Sequence, residues 1–92
     1  MLNVVFESKL FSKQIAKADS LVKTKYFTWL ESVKSDGLNT VQSQKKWRDH
    51  ALTGNRFGQR SITLGGKWRA IYQIKNDEIK FIEMQELTPH DY

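Results

Sequence analysis

Ninety-two residues, 39% hydrophobic and 27% charged, suit one folded domain built as a layer of helices on a sheet, and leave no room for a second. With no cysteine and only His50 and His90, the chain has no disulfide framework and no thiolate nucleophile, and it lacks the ligand sets of the usual zinc sites, so no cofactor is expected. The formal net charge is +5; no apolar run approaches the roughly 18 residues of a membrane span, and the amino terminus does not read as a secretory signal, so a cytoplasmic protein without a membrane partner is expected.

Leu2 to Glu7 reads as a short strand rich in Val and Phe, and Ser8 is placed to cap the helix that follows it. Leu10, Phe11 and Ile15 recur at helical spacing up to about Lys17. From Ser20 to Lys34, Leu21, Val22, Tyr26, Trp29, Leu30 and Val33 mark one face of a longer helix, which Ser35-Asp36-Gly37 stops. These two helices form a hairpin for one face of a sheet. Residues 38 to 43 read as a connector, and Gln44 to Leu52 as two turns of helix with Trp47 and Ala51 inward. Gly54-Asn55 is a turn.

Beyond it Arg60 to Leu64 alternates as a strand, Gly65-Gly66 supplies a tight hairpin turn, and Lys67 to Ile74 alternates again. Lys75 to Glu78 makes the next turn and Ile79 to Leu87 a last long strand. The predicted class is α+β, a curved antiparallel sheet with an amino-terminal helical hairpin packed on one face, in a single domain over residues 1–92.

Charge is concentrated in one stretch. Residues 44–69 hold seven Lys or Arg against one carboxylate, Asp49, whereas residues 70–92 hold two lysines against five acids. Such a run marks a phosphate-seeking surface. Lys45, Lys46 and Arg48 read as a rim that binds a phosphate backbone, with His50 beside them. Arg56 and Arg60 flank Gly58 as substrate-binding candidates, and Lys67 adds to them. If Trp68, Ala70, Tyr72 and Ile74 face the helices, Arg69, Ile71 and Gln73 face the open, concave side, with Ser61 and Thr63 across the hairpin. A guanidinium in a fixed fork suits a phosphate and the charge developing on it. The alternative is an ion pair of Arg69 with Glu83 or Glu86 on the neighbouring strand.

The run GNRFGQRSITLGGKWRAIYQI, continued through EIKFIEMQEL to the terminal His90-Asp91-Tyr92, resembles the RelE/HigB/ParE superfamily of toxins from type II toxin–antitoxin modules. The resemblance spans essentially the whole chain and is most specific over its last forty residues. Without a helix after Tyr92, it points to the HigB-like branch. It implies a ribosome-dependent endoribonuclease that cuts mRNA in the A site of the 70S ribosome without a metal, by attack of a 2′-hydroxyl on the adjacent phosphate. It carries Arg69 onto the family's catalytic arginine, and His90, Asp91 and Tyr92 onto its terminal catalytic group. An imidazole, with an ordinary pKa of about 6.5, suits proton transfer there. Asp91 would orient His90 or a base, and Tyr92 would stack on a base or assist the proton.

Some relatives carry lysines where this chain has Ser61 and Thr63, which leaves Arg56, Arg60 or Lys67 to hold the substrate. The implied partners are a cognate antitoxin, the ribosome and its mRNA, and operator DNA reached through the antitoxin. A ParE-like inhibitor of DNA gyrase and a non-catalytic RNA-binding module remain open within the same pattern.

Overall fold

The computed structural model describes residues 3–76 and 80–89. Strand β1 (Asn3–Glu7) leads into helices α1 (Lys9–Lys17), α2 (Ser20–Asp36) and α3 (Leu38–Gln42). A 3-10 turn (Lys45–Trp47), the two-residue strand β2 (His50–Ala51) and a second 3-10 turn (Gly54–Arg56) precede β3 (Arg60–Thr63), β4 (Arg69–Ile74) and β5 (Lys80–Thr88).

Local chemistry sets the helix ends. The Ser8 hydroxyl accepts from the Phe11 N–H and donates to the Gln85 carbonyl, so one side chain caps α1 and ties it to β5. Asp19 caps α2 by accepting from Val22 N–H. Gly37 ends α2 at φ 85° and ψ 152°, a conformation essentially reserved for glycine.

The sheet order is β1-β5-β4-β3-β2. The hairpin strands β2 to β5 pair antiparallel, but β1 runs parallel to β5, from Asn3 beside Lys80 to Glu7 beside Met84. The sheet is therefore mixed, not antiparallel throughout, and it is not strongly curled as expected. The helical layer carries the chain away from β1 and the last strand returns beside it in the same direction, a polarity that residue alternation does not encode.

All the helices lie on one face. Phe11, Tyr26, Trp29, Val33, Leu38, Val41 and Trp47 pack on Ile62, Leu64, Ala70, Tyr72, Ile82, Met84 and Leu87 in one buried core, with Trp68 and Ile74 at its margin. The expected inward set of β4 thus holds. Glu7 clamps the layer to the sheet, accepting from Tyr26 Oη at 2.8 Å and from Ser12 Oγ at 2.7 Å.

Two expectations between residues 38 and 52 fail. Leu38 to Gln42 is helical because Leu38 and Val41 are buried one turn apart, at 1% and 0% exposure, and it is not a bare connector. The stretch from Gln44 to Leu52 is no two-turn helix. Arg48 adopts the left-handed conformation (φ 50°), ending the 3-10 turn after Trp47, and the chain then extends into β2 with Ala51 exposed. No helix among the described residues is long and apolar enough to cross a membrane.

Candidate nucleic-acid interface

On the face away from the helices, β4 carries Arg69, Ile71 and Gln73, and β3 carries Ser61 and Thr63; Ile71 and Ser61 are fully buried, so this face is not open along its whole length as expected, and Arg69, Gln73 and Thr63 are its part-exposed members. Thr63 is the register partner of Arg69. Arg69 Nη1 lies within hydrogen-bonding distance of Thr63 Oγ1 (3.0 Å), the Gly66 carbonyl (2.9 Å) and the Trp68 carbonyl (3.1 Å). One edge of the guanidinium is therefore held by the β3–β4 hairpin. That hairpin can turn so tightly because Gly65 and Gly66 both take positive φ, 103° and 54°.

A bulge shapes the rest of this face. Ile71 pairs with Glu86 and Tyr72 with Met84, which leaves Gln85 as an extra residue on β5. Gln85 and Glu86, though consecutive, both bond across the open face. Arg56 reaches from its 3-10 turn to Glu86 Oε1 at 2.7 Å and to Gln59 Oε1 at 3.2 Å. Gln59 donates to Gln85, which donates to Gln73 (2.9 Å) and Glu83 (2.8 Å), and Lys75 lies 3.6 Å from Glu83. Thr88, not an acid, stands opposite Arg69 in the register.

Asp49, the lone acid of the basic stretch, organises a second group. Its carboxylate is fully buried, takes the Arg60 Nε–H at 2.6 Å and accepts from the Tyr72 hydroxyl, while Gln42 donates to the same hydroxyl at 3.1 Å. Burial, then the neighbouring Asp49 carboxylate, pushes the Tyr72 hydroxyl far above the ordinary phenol range. For Arg60, burial acts to lower the pKa, but the hydrogen bond and charge of Asp49 outweigh it and raise it.

The six basic residues singled out by sequence therefore divide. Arg56 and Arg60 are engaged in ion pairs with Glu86 and Asp49, whereas Lys45, Lys46, Arg48 and Lys67 are exposed. Lys46 Nζ sits 5.3 Å from the centre of the Trp47 ring. A cleft of about 440 Å³ at the β3 edge brings Lys46 and Trp47 together with Lys25, Thr63, Gly65 and Gly66. Lys25 belongs to this basic edge although it lies on α2.

His50 lines a separate cleft of about 550 Å³ with Leu52, Thr53, Asn55 and Arg56, and its Nδ1 lies 2.8 Å from the Arg48 carbonyl. His90, Asp91 and Tyr92 lie outside the described residues. Among the described residues no group of three or more His, Asp or Glu side chains is arranged to hold a metal.

Neither a protein-family model nor a curated protein matches this chain. Solved structures do. The chain is similar to an archaeal RelE from Pyrococcus horikoshii, solved in complex with RelB: TM-score 0.73, 20% identity, 97% of this chain and 96% of that one. It is also similar to YoeB of Staphylococcus aureus, solved as a dimer (TM-score 0.71, 16% identity, all of both chains). A third is YafQ of E. coli in the DinJ–YafQ toxin–antitoxin complex, at TM-score 0.67, 20% identity, 95% of this chain and 91% of that one. At these identities the likeness establishes a shared α+β fold.

Proposed function

We propose that this chain is the toxin of a type II toxin–antitoxin module, a ribosome-dependent endoribonuclease that cleaves mRNA in the A site. The observation that carries this reading is Arg69: it stands on the sheet face free of helices, its fork held by Thr63 and the Gly66 carbonyl, in a fold that RelE, YoeB and YafQ share. The family resemblance of the Gly54–Ile74 run and of His90-Asp91-Tyr92 supports it from the sequence side.

In this reaction the 2′-hydroxyl oxygen of the nucleotide before the scissile bond attacks phosphorus as its proton leaves to a base. The bond from phosphorus to the 5′-oxygen breaks, and that oxygen takes up a proton. A 2′,3′-cyclic phosphate and a 5′-hydroxyl remain. Arg69 neutralises the charge gathering on the phosphate oxygens. His90 transfers a proton, with Asp91 orienting it and Tyr92 stacking on a base or assisting the transfer. Lys45, Lys46, Arg48 and Lys67 grip RNA phosphates, and Arg56 and Arg60 contribute to the same surface through their ion-paired guanidinium groups.

A cognate antitoxin restrains the toxin by covering this cationic surface, and the pair reaches operator DNA through the antitoxin. The HigB-like branch suits the sequence pattern best.

The test is single-turnover cleavage on a programmed ribosome at saturating protein. Arg69→Ala and His90→Ala should each slow cleavage on the order of 10²–10³-fold with fold and ribosome binding retained. Wild-type rates in both variants would overturn the mechanism. Intact mRNA together with lost gyrase supercoiling would instead identify a gyrase inhibitor.

A further inference from the structure

We infer that Phe57 is a nucleobase-stacking platform that engages an unpaired base of single-stranded RNA crossing the open face. The inference deepens the RNA-directed reading above and rests on it. Phe57 is 85% exposed, more than any other large apolar side chain described. An aromatic ring left this open gains nothing for the core. Its backbone, however, is fixed. Arg56 N–H bonds the Thr53 carbonyl, Phe57 N–H the Gly54 carbonyl, Gln59 N–H the Arg56 carbonyl, and Leu52 N–H the Gln59 carbonyl, with Leu52 itself buried.

The residues on either side pin this turn to the open face. Arg56 bonds Glu86 and Gln59 bonds Gln85. Gly58 turns at φ 96°, so close to the sheet that a Cβ there would lie 3.5 Å from Gln73 Nε2. The turn that carries Phe57 is thus pinned beside this face by an ordered scaffold, with the ring exposed to solvent, so little further backbone freedom is lost when a flat partner stacks on it.

Location selects the ligand. Glu86, the anchor of Arg56, pairs with Ile71, two residues or roughly 7 Å along β4 from Arg69. One strand of RNA can meet both the phosphate-seeking guanidinium and the ring. Beside the turn, the 550 Å³ cleft offers His50, Thr53, Asn55 and Arg56, polar groups able to bond base edges or phosphates. Every base has a π-face, so an aromatic platform next to such groups suits unpaired RNA without fixing its sequence.

The experiment measures affinity of the purified protein for a fluorescein-labelled, unstructured RNA oligonucleotide by anisotropy at fixed salt, in wild type, Phe57→Ala, Phe57→Leu, Phe57→Tyr and Phe57→Trp. Stacking predicts that the Ala and Leu variants bind on the order of 10- to 100-fold more weakly and that the Tyr and Trp variants keep wild-type affinity. The exposed indole introduced by Phe57→Trp should also be quenched on adding RNA. Wild-type affinity in Phe57→Leu, or loss confined to binding of a protein partner, overturns the proposal. The ribosome assay separates the two ideas. If the wild type cleaves mRNA and all four variants bind and cleave as it does, the platform falls and the nuclease stands. If the wild type cuts nothing but RNA binding still needs an aromatic at 57, the platform stands and the nuclease falls.

Discussion

At the scale of single residues, Asp49 governs more of the structure than any of the lysines and arginines around it in sequence. It joins Arg60 on β3 to Tyr72 on β4 and, through that hydroxyl, to Gln42 on α3. Removing one member of a buried charged group leaves the others unsatisfied. Asp49→Ala should therefore destabilise the protein by about 3 kcal/mol, the low end of that class because Arg60 keeps partial contact with water. Tyr72→Phe should cost about 1–3 kcal/mol in denaturant titrations, since Asp49 loses a donor it cannot replace from solvent. A change below about 0.5 kcal/mol in both would show that the group holds nothing together.

Sequence made Asp49 conspicuous as the one acid in a basic run. It could not show the partner, because Tyr72 is far along the chain and reads simply as a core aromatic at an inward position of β4. Arg60 read as a substrate-binding candidate, not as the partner of a buried carboxylate, for the same reason. Arg69, by contrast, was placed on the helix-free face by the alternation of Trp68, Ala70, Tyr72 and Ile74 alone, and it stands there. Phe57 carries no periodic signal, and only its exposure on a pinned turn marks it out.

At the scale of elements, the caps and stops were legible because their chemistry is local. Ser8 and the Ser35-Asp36-Gly37 stop act within a few residues of where they stand. Replacing Gly37 by alanine should cost about 1–3 kcal/mol from backbone strain alone, because the nearest atom to the new Cβ, Asn3 Nδ2, is an unstrained 3.9 Å away. Ser8→Ala should cost about 1 kcal/mol for the cap, plus whatever its bond to Gln85 contributes. Both are read from urea midpoints, and no loss at Gly37 would mean that the helix can end another way. The segment from 38 to 52 was illegible. A five-residue helix whose first N–H is bonded by distant Asn3 and not by a local capping residue gives too few turns for a periodic pattern, and the left-handed Arg48 breaks a stretch whose residue types favour helix.

At the scale of the whole molecule, two buried phenols tie layer to layer, Tyr26 to Glu7 and Tyr72 to Asp49, and burial raises the pKa of each. The native state thus holds these protons more tightly than the unfolded chain does. Their stabilising contribution is complete below the unfolded phenol pKa of about 10 and is lost as the pH climbs above it. Thermal midpoints should show no loss from these groups between neutrality and about pH 9.5, then fall steeply, and Tyr72→Phe should make that fall shallower. An equal alkaline fall in that variant would remove Tyr72 from the account. The hairpin order of the last strands was readable along the chain, but the parallel seat of β1 was not, since a strand's neighbours at long range leave no mark on its own residues.

That seat bears on how the protein is made. Among the described residues β1 pairs with β5 alone, so the nascent chain carries β1 as an unpaired segment until β5 has been synthesised. Pairings this distant are slow to form because the loop they close must be ordered first. Assembly of the sheet, and with it the surface around Arg69, is therefore a late event in folding, completed only once β5 is free to pair with β1.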